Sequence, residues 1–290
     1  MPRLSVSIFA VTSSNSTRQA QNYDGSALRY GDRLYCDIEL YKTTEKEKYL
    51  IDARACAEDL CKLQDLTGGV GDGSFFRDNK RTEKISTTDD GALGPLGLIE
   101  LVRLDRETSG CYLENVKRYA EHLMRMAGRN PWGLISCYLY ASKVPGSRPM
   151  GNLYYRYFAD DYDFGVNKEL LGRGLFLLEL SLETGERRYE EEATRIADFI
   201  LGANMLNAST VEGVGRNQPQ RLLNTNEFNP KTPQIPGAVM TGIAGFLETD
   251  EPVVKINLAN EYDMPATSFM LMLLIRLQQL ENKRSGLIRS

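Results

Sequence analysis

The chain has 290 residues, 42% of them hydrophobic, enough for one large domain with a substantial core or for two smaller ones. Its 35 basic and 39 acidic residues are interspersed and give a formal net charge of -4, which argues against a nucleic-acid footprint or an anionic-membrane surface. One histidine, His122, and five cysteines without a CxxC pair exclude a multi-histidine zinc site.

Residues 1–24 are expected to form an irregular N-terminal segment. Leu4 to Val11, after Arg3, is at the short end for a secretory signal and no A-x-A site follows, so the route of export stays open. No apolar run reaches the ~20 residues of a membrane span. From residue 25 onward apolar residues recur at helical spacing, and alternating β-branched runs are nearly absent, so the expected class is all-α. In chain order the pattern predicts helices over 28–43, 46–65, 90–105, 109–127, 167–184, 187–202 and 265–281. These lie in one domain over 25–281, followed by a tail over 282–290. Tyr112, Val116, Tyr119, Leu123 and Met126 make one stripe, and Tyr189, Ala193, Ile196, Ala197 and Ile200 make another. His122 falls inside a helix as a surface or satisfied core residue, and the cysteines are expected to be buried free thiols.

An internal repeat is the strongest signal. A leucine-rich helix ends in a short polar turn with a threonine, a tyrosine follows, and small or branched residues come four and eight positions later. The copies are Thr44, Tyr49, Ala53 and Ala57; Thr108, Tyr112, Val116 and Ala120; Thr184, Tyr189, Ala193 and Ala197. So short a turn permits only antiparallel neighbours, and the small stripe lets the second helix lie close against the first. Repeated αα-hairpins fit an α-solenoid or a closed toroid. The stretch from Asn204 to Asn260, rich in Gly, Pro and Asn, tips the balance to a toroid, because long loops gathered at one end of its helices are where a site is built.

ADFILGANMLNASTVEGVGRNQPQR from Ala197 to Arg221, IPGAVMTG from Ile235 and NLANEYDMPATSFMLMLL from Asn257 resemble the end of the catalytic domain of glycoside hydrolase family 9. That family has an ILGxNP helix end, an SxVxGxGxNxP loop, a PG segment and an Asn-Glu pair before the last helix. Upstream, FGVN at Phe164 to Asn167 with ETGERRY resembles the family's GSN segment and TGDxxY turn, and GDRLYCDIELYKTT near Gly31 its GDELxWAAxELYxATG helix. The resemblance implies an (α/α)6 toroid of αα-hairpins, present here as an incomplete arc of about seven helices. It also implies hydrolysis of β-glycosidic bonds in a polysaccharide such as cellulose or a related β-glucan. The chemistry is inverting: one carboxyl protonates the leaving oxygen while another activates water, ~6.5–9.5 Å away. No cofactor is needed.

The Asn-Glu motif maps the general acid onto Glu261, beside Asn260. Met264, Pro265 and Phe269 give it an apolar neighbourhood, and such surroundings help a carboxyl keep its proton. The competing reading is that Glu261 caps the last helix. Asn260 itself, Asn167 from the GSN-like segment, Asn224 and Tyr35, nearest the family's helix tryptophan, are candidate substrate contacts, with Tyr154, Tyr155, Tyr157 and Trp132 as further candidate stacking faces, the alternative for each aromatic being a core position.

Two departures from the family pattern matter. Its water-activating Asp-Ala-Gly-Asp segment has no counterpart here, since TTDDGA around Asp89 and FADDYDF around Asp160, Asp161 and Asp163 come at the wrong place in the order. Its Pro-His-His-Arg sugar-contacting motif is replaced by Leu222, Leu223, Asn224 and Thr225, of which Asn224 alone retains a group suited to a hydroxyl. The alternative reading is therefore a non-catalytic protein that binds saccharide, or that packs against a partner segment or a second copy completing the toroid. With seven helices one lacks its hairpin partner, so the two ends of the arc are expected to expose apolar stripes such as Phe269, Leu273, Leu277 and Leu280.

Overall fold

A computed structural model describes residues 26–81, 84–85, 92–130, 132–135, 138–140, 142–143, 147–156, 165–218, 235–246 and 255–286. The helices are α1 (Ala27–Thr44), α2 (Glu47–Lys62), α3 (Leu93–Leu104), the short α4 (Arg106–Ser109), α5 (Tyr112–Ala127), α6 (Asn167–Thr184), α7 (Arg187–Ile200) and α8 (Met264–Arg284). The strands are short: β1 (Phe75–Phe76) pairs with β2 (Lys84–Ile85), β3 (Tyr138–Tyr140), β5 (Leu153–Arg156) and β4 (Arg148–Met150) form a three-stranded sheet in that order, and β6 (Met240–Phe246) pairs antiparallel with β7 (Lys255–Tyr262). Among the described residues no helix is long and apolar enough to cross a membrane.

The chain divides into two compact units. The first runs to His122 and takes in Leu139–Ser142 and Met150–Leu153. Its α1 and α2 form an antiparallel hairpin, and α1 also packs on α3. That second contact is close because glycine faces glycine: a Cβ on Gly31 would lie 2.8 Å from the Gly94 backbone nitrogen. Leu34, Ile38, Leu60, Leu98 and Ile99 fill the interior, and Ala53 and Ala57, the small stripe of the repeat, are fully buried. His122 is a core residue, stacked on Tyr119.

The second unit comprises Leu123–Tyr138, Lys143–Pro149 and Tyr154–Ser290. Here α6 packs against both α7 and α8. Tyr189, Ala193 and Ala197 of the repeat are buried with Phe176 and Leu177. Phe269 and Leu273 of α8 are buried as well, so the stripe expected to be exposed faces inward at these two positions. The exposed apolar residues of α8 are Met264, Leu271, Leu274 and Ile275, on another face of the helix.

Three details depart from the sequence reading. The second repeat carries an added helical turn, because Asp105 leaves helical geometry (φ -145, ψ 65) and accepts from Arg54 Nε at 2.9 Å, which restarts the chain as α4. The span from 204 to 260, read as irregular, contains β6 and most of β7. The four described cysteines are free, but Cys111 is exposed and only Cys56 is fully buried. Burial pushes the Cys56 and Cys61 thiols up to about 12, too high for appreciable thiolate near neutral pH.

Candidate active site

Glu261 stands on β7, one residue before the strand ends. The register of the β6–β7 ladder slips beneath it: Gly242 pairs with Ala259, while Met240 pairs with Tyr262. Thr241 alone therefore faces both Asn260 and Glu261. This is a β-bulge, a device that bends a strand and re-aims the residues it carries. The Asn-Glu pair singled out in the sequence is the bulged pair.

The segment after the bulge is tied down on all sides. Asp263 is the N-cap of α8, its Oδ1 accepting from Ala266 N at 2.8 Å, and Pro265 sits in the first helical turn. Capping thus belongs to Asp263, two residues later, and not to Glu261. Asp263 N donates to Val239 O at 3.0 Å, Thr267 Oγ1 accepts from Val239 N at 3.0 Å, and Tyr262 Oη donates to Glu212 Oε2 at 2.5 Å. The Glu261 side chain is half-buried and has no hydrogen bond or ion pair among the described residues. Its carboxyl is available to an incoming group.

Behind the bulge, the loop from Ser209 to Glu212 runs alongside residues 235–240. Met240 N donates to Thr210 O at 3.0 Å, Glu212 N to Ala238 O at 2.9 Å, and Gly237 N to Glu212 O at 2.7 Å. Asn167, the first residue of α6, is fully buried at this junction. Its Nδ2 donates to Thr210 Oγ1 at 2.8 Å and to Met240 O at 3.0 Å. Gly242 (φ +97) is packed so tightly on it that a Cβ there would lie 2.1 Å from Asn167 Oδ1. Fully buried, Asn167 ties together the two segments that carry the bulge.

The other candidates separate by burial. Trp132 is 40% exposed and Tyr154 is half-buried, so both offer a ring face to solvent, whereas Tyr155 belongs to the core. Tyr35 lies in the first unit, half-buried on α1. The backbone of Asn260 is described but its side chain is not. Asn224, Asp89, Asp160, Asp161, Asp163 and Tyr157 lie outside the described residues. Sequence reasoning passed over Glu212, Thr210 and Tyr262. Their signal was faint: a glutamate and a tyrosine some fifty positions apart declare themselves partners only once the chain is folded.

The profile of glycosyl hydrolase family 9 matches residues 6–261. No curated protein matches the chain significantly. Among solved structures, the cellulase Cel9M of C. cellulolyticum is similar with a TM-score of 0.54 at 15% identity, over 90% of this chain and 52% of that one. The Bacteroides ovatus GH9 protein gives a TM-score of 0.52 at 20% identity, over 91% and 44% of the two chains. Endoglucanase CelQ from Clostridium thermocellum, solved with cellobiose and cellotriose, gives 0.52 at 20% identity, over 93% and 43%. At such identities the likeness establishes the fold, the helical-hairpin architecture that the repeat implied. The chain spans about half the length of these structures.

Proposed function

The chain belongs to glycosyl hydrolase family 9, and on that premise we propose that it acts in the hydrolysis of β-glycosidic bonds in a cellulose-like glucan, with Glu261 as general acid. The observation that carries this reading is the bulged Asn260–Glu261 pair: a half-exposed carboxyl, without an intramolecular partner among the described residues, on a segment whose helix cap is supplied by Asp263. Cellobiose and cellotriose bound to CelQ support a β-glucan as the substrate class.

In the inverting reaction Glu261 gives its proton to the glycosidic oxygen as the bond to the anomeric carbon breaks. Water adds to the opposite face and loses a proton to a second carboxylate. This sequence has no Asp-Ala-Gly-Asp string to supply that base. The proposal therefore assigns water activation to a complementing segment, and the chain by itself is expected not to turn over soluble β-glucans.

The test supplies the N-terminal half of a family 9 catalytic domain and measures hydrolysis of cello-oligosaccharides and of activated aryl cellobiosides. Glu261→Gln is expected to cut the former by ~100- to 10,000-fold and the latter far less, because an activated leaving group needs little protonation. Thermal stability should stay within about 1 kcal/mol. An equal loss on both substrates would sink the acid assignment. The absence of Asp-Ala-Gly-Asp favours a second reading, a non-catalytic saccharide-binding protein, for which cellotriose binds and no complementing half brings turnover.

A further inference from the structure

Glu212 has a buried side chain, 3% exposed, and no ion pair among the described residues. A carboxyl costs more to desolvate than an apolar side chain of the same size, so a leucine or methionine would fill this space more cheaply if filling were all that mattered. What Glu212 provides is one oxygen with two donors: Oε2 accepts from Ile235 N at 2.9 Å and from Tyr262 Oη at 2.5 Å. Its own backbone is bonded to Ala238 and Gly237. One residue thus joins the 209–212 loop, the 235–240 segment and the end of β7.

Tyr262 is the residue next to Glu261 and the first regular ladder pair beyond the bulge. Burial, and then the Glu212 carboxyl, push its phenol up to about 12, so the hydroxyl stays a donor throughout any working pH range. Asp263, the following residue, is held by its backbone N–H and by its capping side chain. On the other side, Ala259 is paired with Gly242. Among the described residues Glu261 therefore carries a carboxyl without a partner on a backbone fixed at both ends, and the side-chain clamp nearest to it is Glu212–Tyr262.

Resting on the assignment of Glu261 as the proton donor, we propose that Glu212 is a positioning residue: by accepting the Tyr262 hydroxyl it fixes the bulge and so sets where the Glu261 carboxyl can reach. Placement of this kind carries much of an enzyme's advantage, since a misplacement of about 1 Å costs ~100-fold in rate.

The test needs no turnover. The side-chain carboxyl carbon of Glu261, identified by its loss in Glu261→Gln, is followed by NMR in the full chain at one fixed pH. Tyr262→Phe removes the donor, Glu212→Leu removes the acceptor, and Glu212→Gln keeps an acceptor oxygen in place while removing the charge. Tyr262→Phe and Glu212→Leu are each expected to displace the Glu261 resonance by more than its linewidth, and Glu212→Gln to leave it within its linewidth. Should Glu212→Leu fail to fold, Tyr262→Phe, which loses a single oxygen, carries the comparison with Glu212→Gln. An unmoved Glu261 resonance in all variants overturns the proposal, and so does a displacement in Glu212→Gln as large as in Tyr262→Phe, because that result reports charge and not position. Failure of the leaving-group test would remove the acid role of Glu261 while leaving this pattern of resonance displacements intact, so the two ideas fail separately.

Discussion

The turn between α1 and α2 and the turn between α6 and α7 are the same construction made twice. Thr44 Oγ1 donates to Leu40 O at 2.7 Å and accepts from Lys46 N at 3.4 Å; Thr184 Oγ1 donates to Leu180 O at 2.8 Å and accepts from Glu186 N at 3.3 Å. In each, the residue after the threonine is left-handed and its N–H closes on a carbonyl four residues back, at 2.8 Å. Two things differ. The left-handed residue is Glu45 in one turn and Gly185 in the other, and the buried acid on the leading helix is Asp37 in one and Glu179 in the other. Glu179 accepts from Arg276 Nε at 2.7 Å, whereas the Arg33 Nε to Asp37 Oδ2 distance is 3.4 Å. The turn chemistry fixes the antiparallel approach, and the helix faces beyond it are free to carry different loads.

Asp37 should give the largest effect when that comparison is broken. Burial, with Asp52 adding to it and Arg33 opposing, raises its carboxyl to about 6. Between the ordinary aspartate range and about pH 6, the folded chain holds a proton that the unfolded chain has released. The stability this group contributes is therefore full below ~4 and lost as pH rises through about 6. Asp37→Asn removes the penalty. Urea unfolding near neutral pH should show the variant more stable by about 2 kcal/mol, with the gain vanishing near pH 4. A gain that is the same at both pH values would mean that Asp37 does not titrate in this window.

The hairpins were legible because their signals are local. Helix α6 begins and ends where the periodicity put it, at Asn167 and Thr184, since Gly185 stops it. The periodicity carries the second helix to residue 65, yet it ends at Lys62, because Gln64 turns away to bridge Phe75, a partner that no local pattern reveals. The β6–β7 hairpin was missed for the same reason: Gly242, Ala244 and Gly245 dilute its strand propensity, and its stability depends on pairing with a distant segment. Glu261 was found through its neighbours in sequence, yet its setting was not. A bulge is a mismatch between two strands, and one strand read alone cannot show it.

Removing the threonine hydroxyls probes what the two turns share. Thr184→Val replaces a half-buried hydroxyl that bonds on both sides, and should cost about 1 kcal/mol of unfolding free energy measured in urea. Thr44 makes the same bonds in the open, where water replaces them, so Thr44→Val should cost roughly half as much. A larger loss at Thr44 would show that solvent exposure does not rank the two turns.

The smallest effect concerns the residue that differs between the turns. Glu45 has φ 56 and Gly185 has φ 77, both in the region where a Cβ crowds the backbone. Glycine avoids that crowding but releases more conformational freedom on unfolding, so the two effects partly cancel. The relief at a helix-ending position exceeds the entropy, which is why glycine is the common residue there. No hydrogen bond or ion pair of the Glu45 side chain is found among the described residues that the exchange would sacrifice. Glu45→Gly is therefore expected to raise the unfolding free energy from urea titration by about 0.5 kcal/mol with no change in m, and Gly185→Glu to lower it by a similar amount. If Glu45→Gly were destabilising instead, the αL position in the first turn would be tuned to a side chain, and the two turns would be alike only in their threonines.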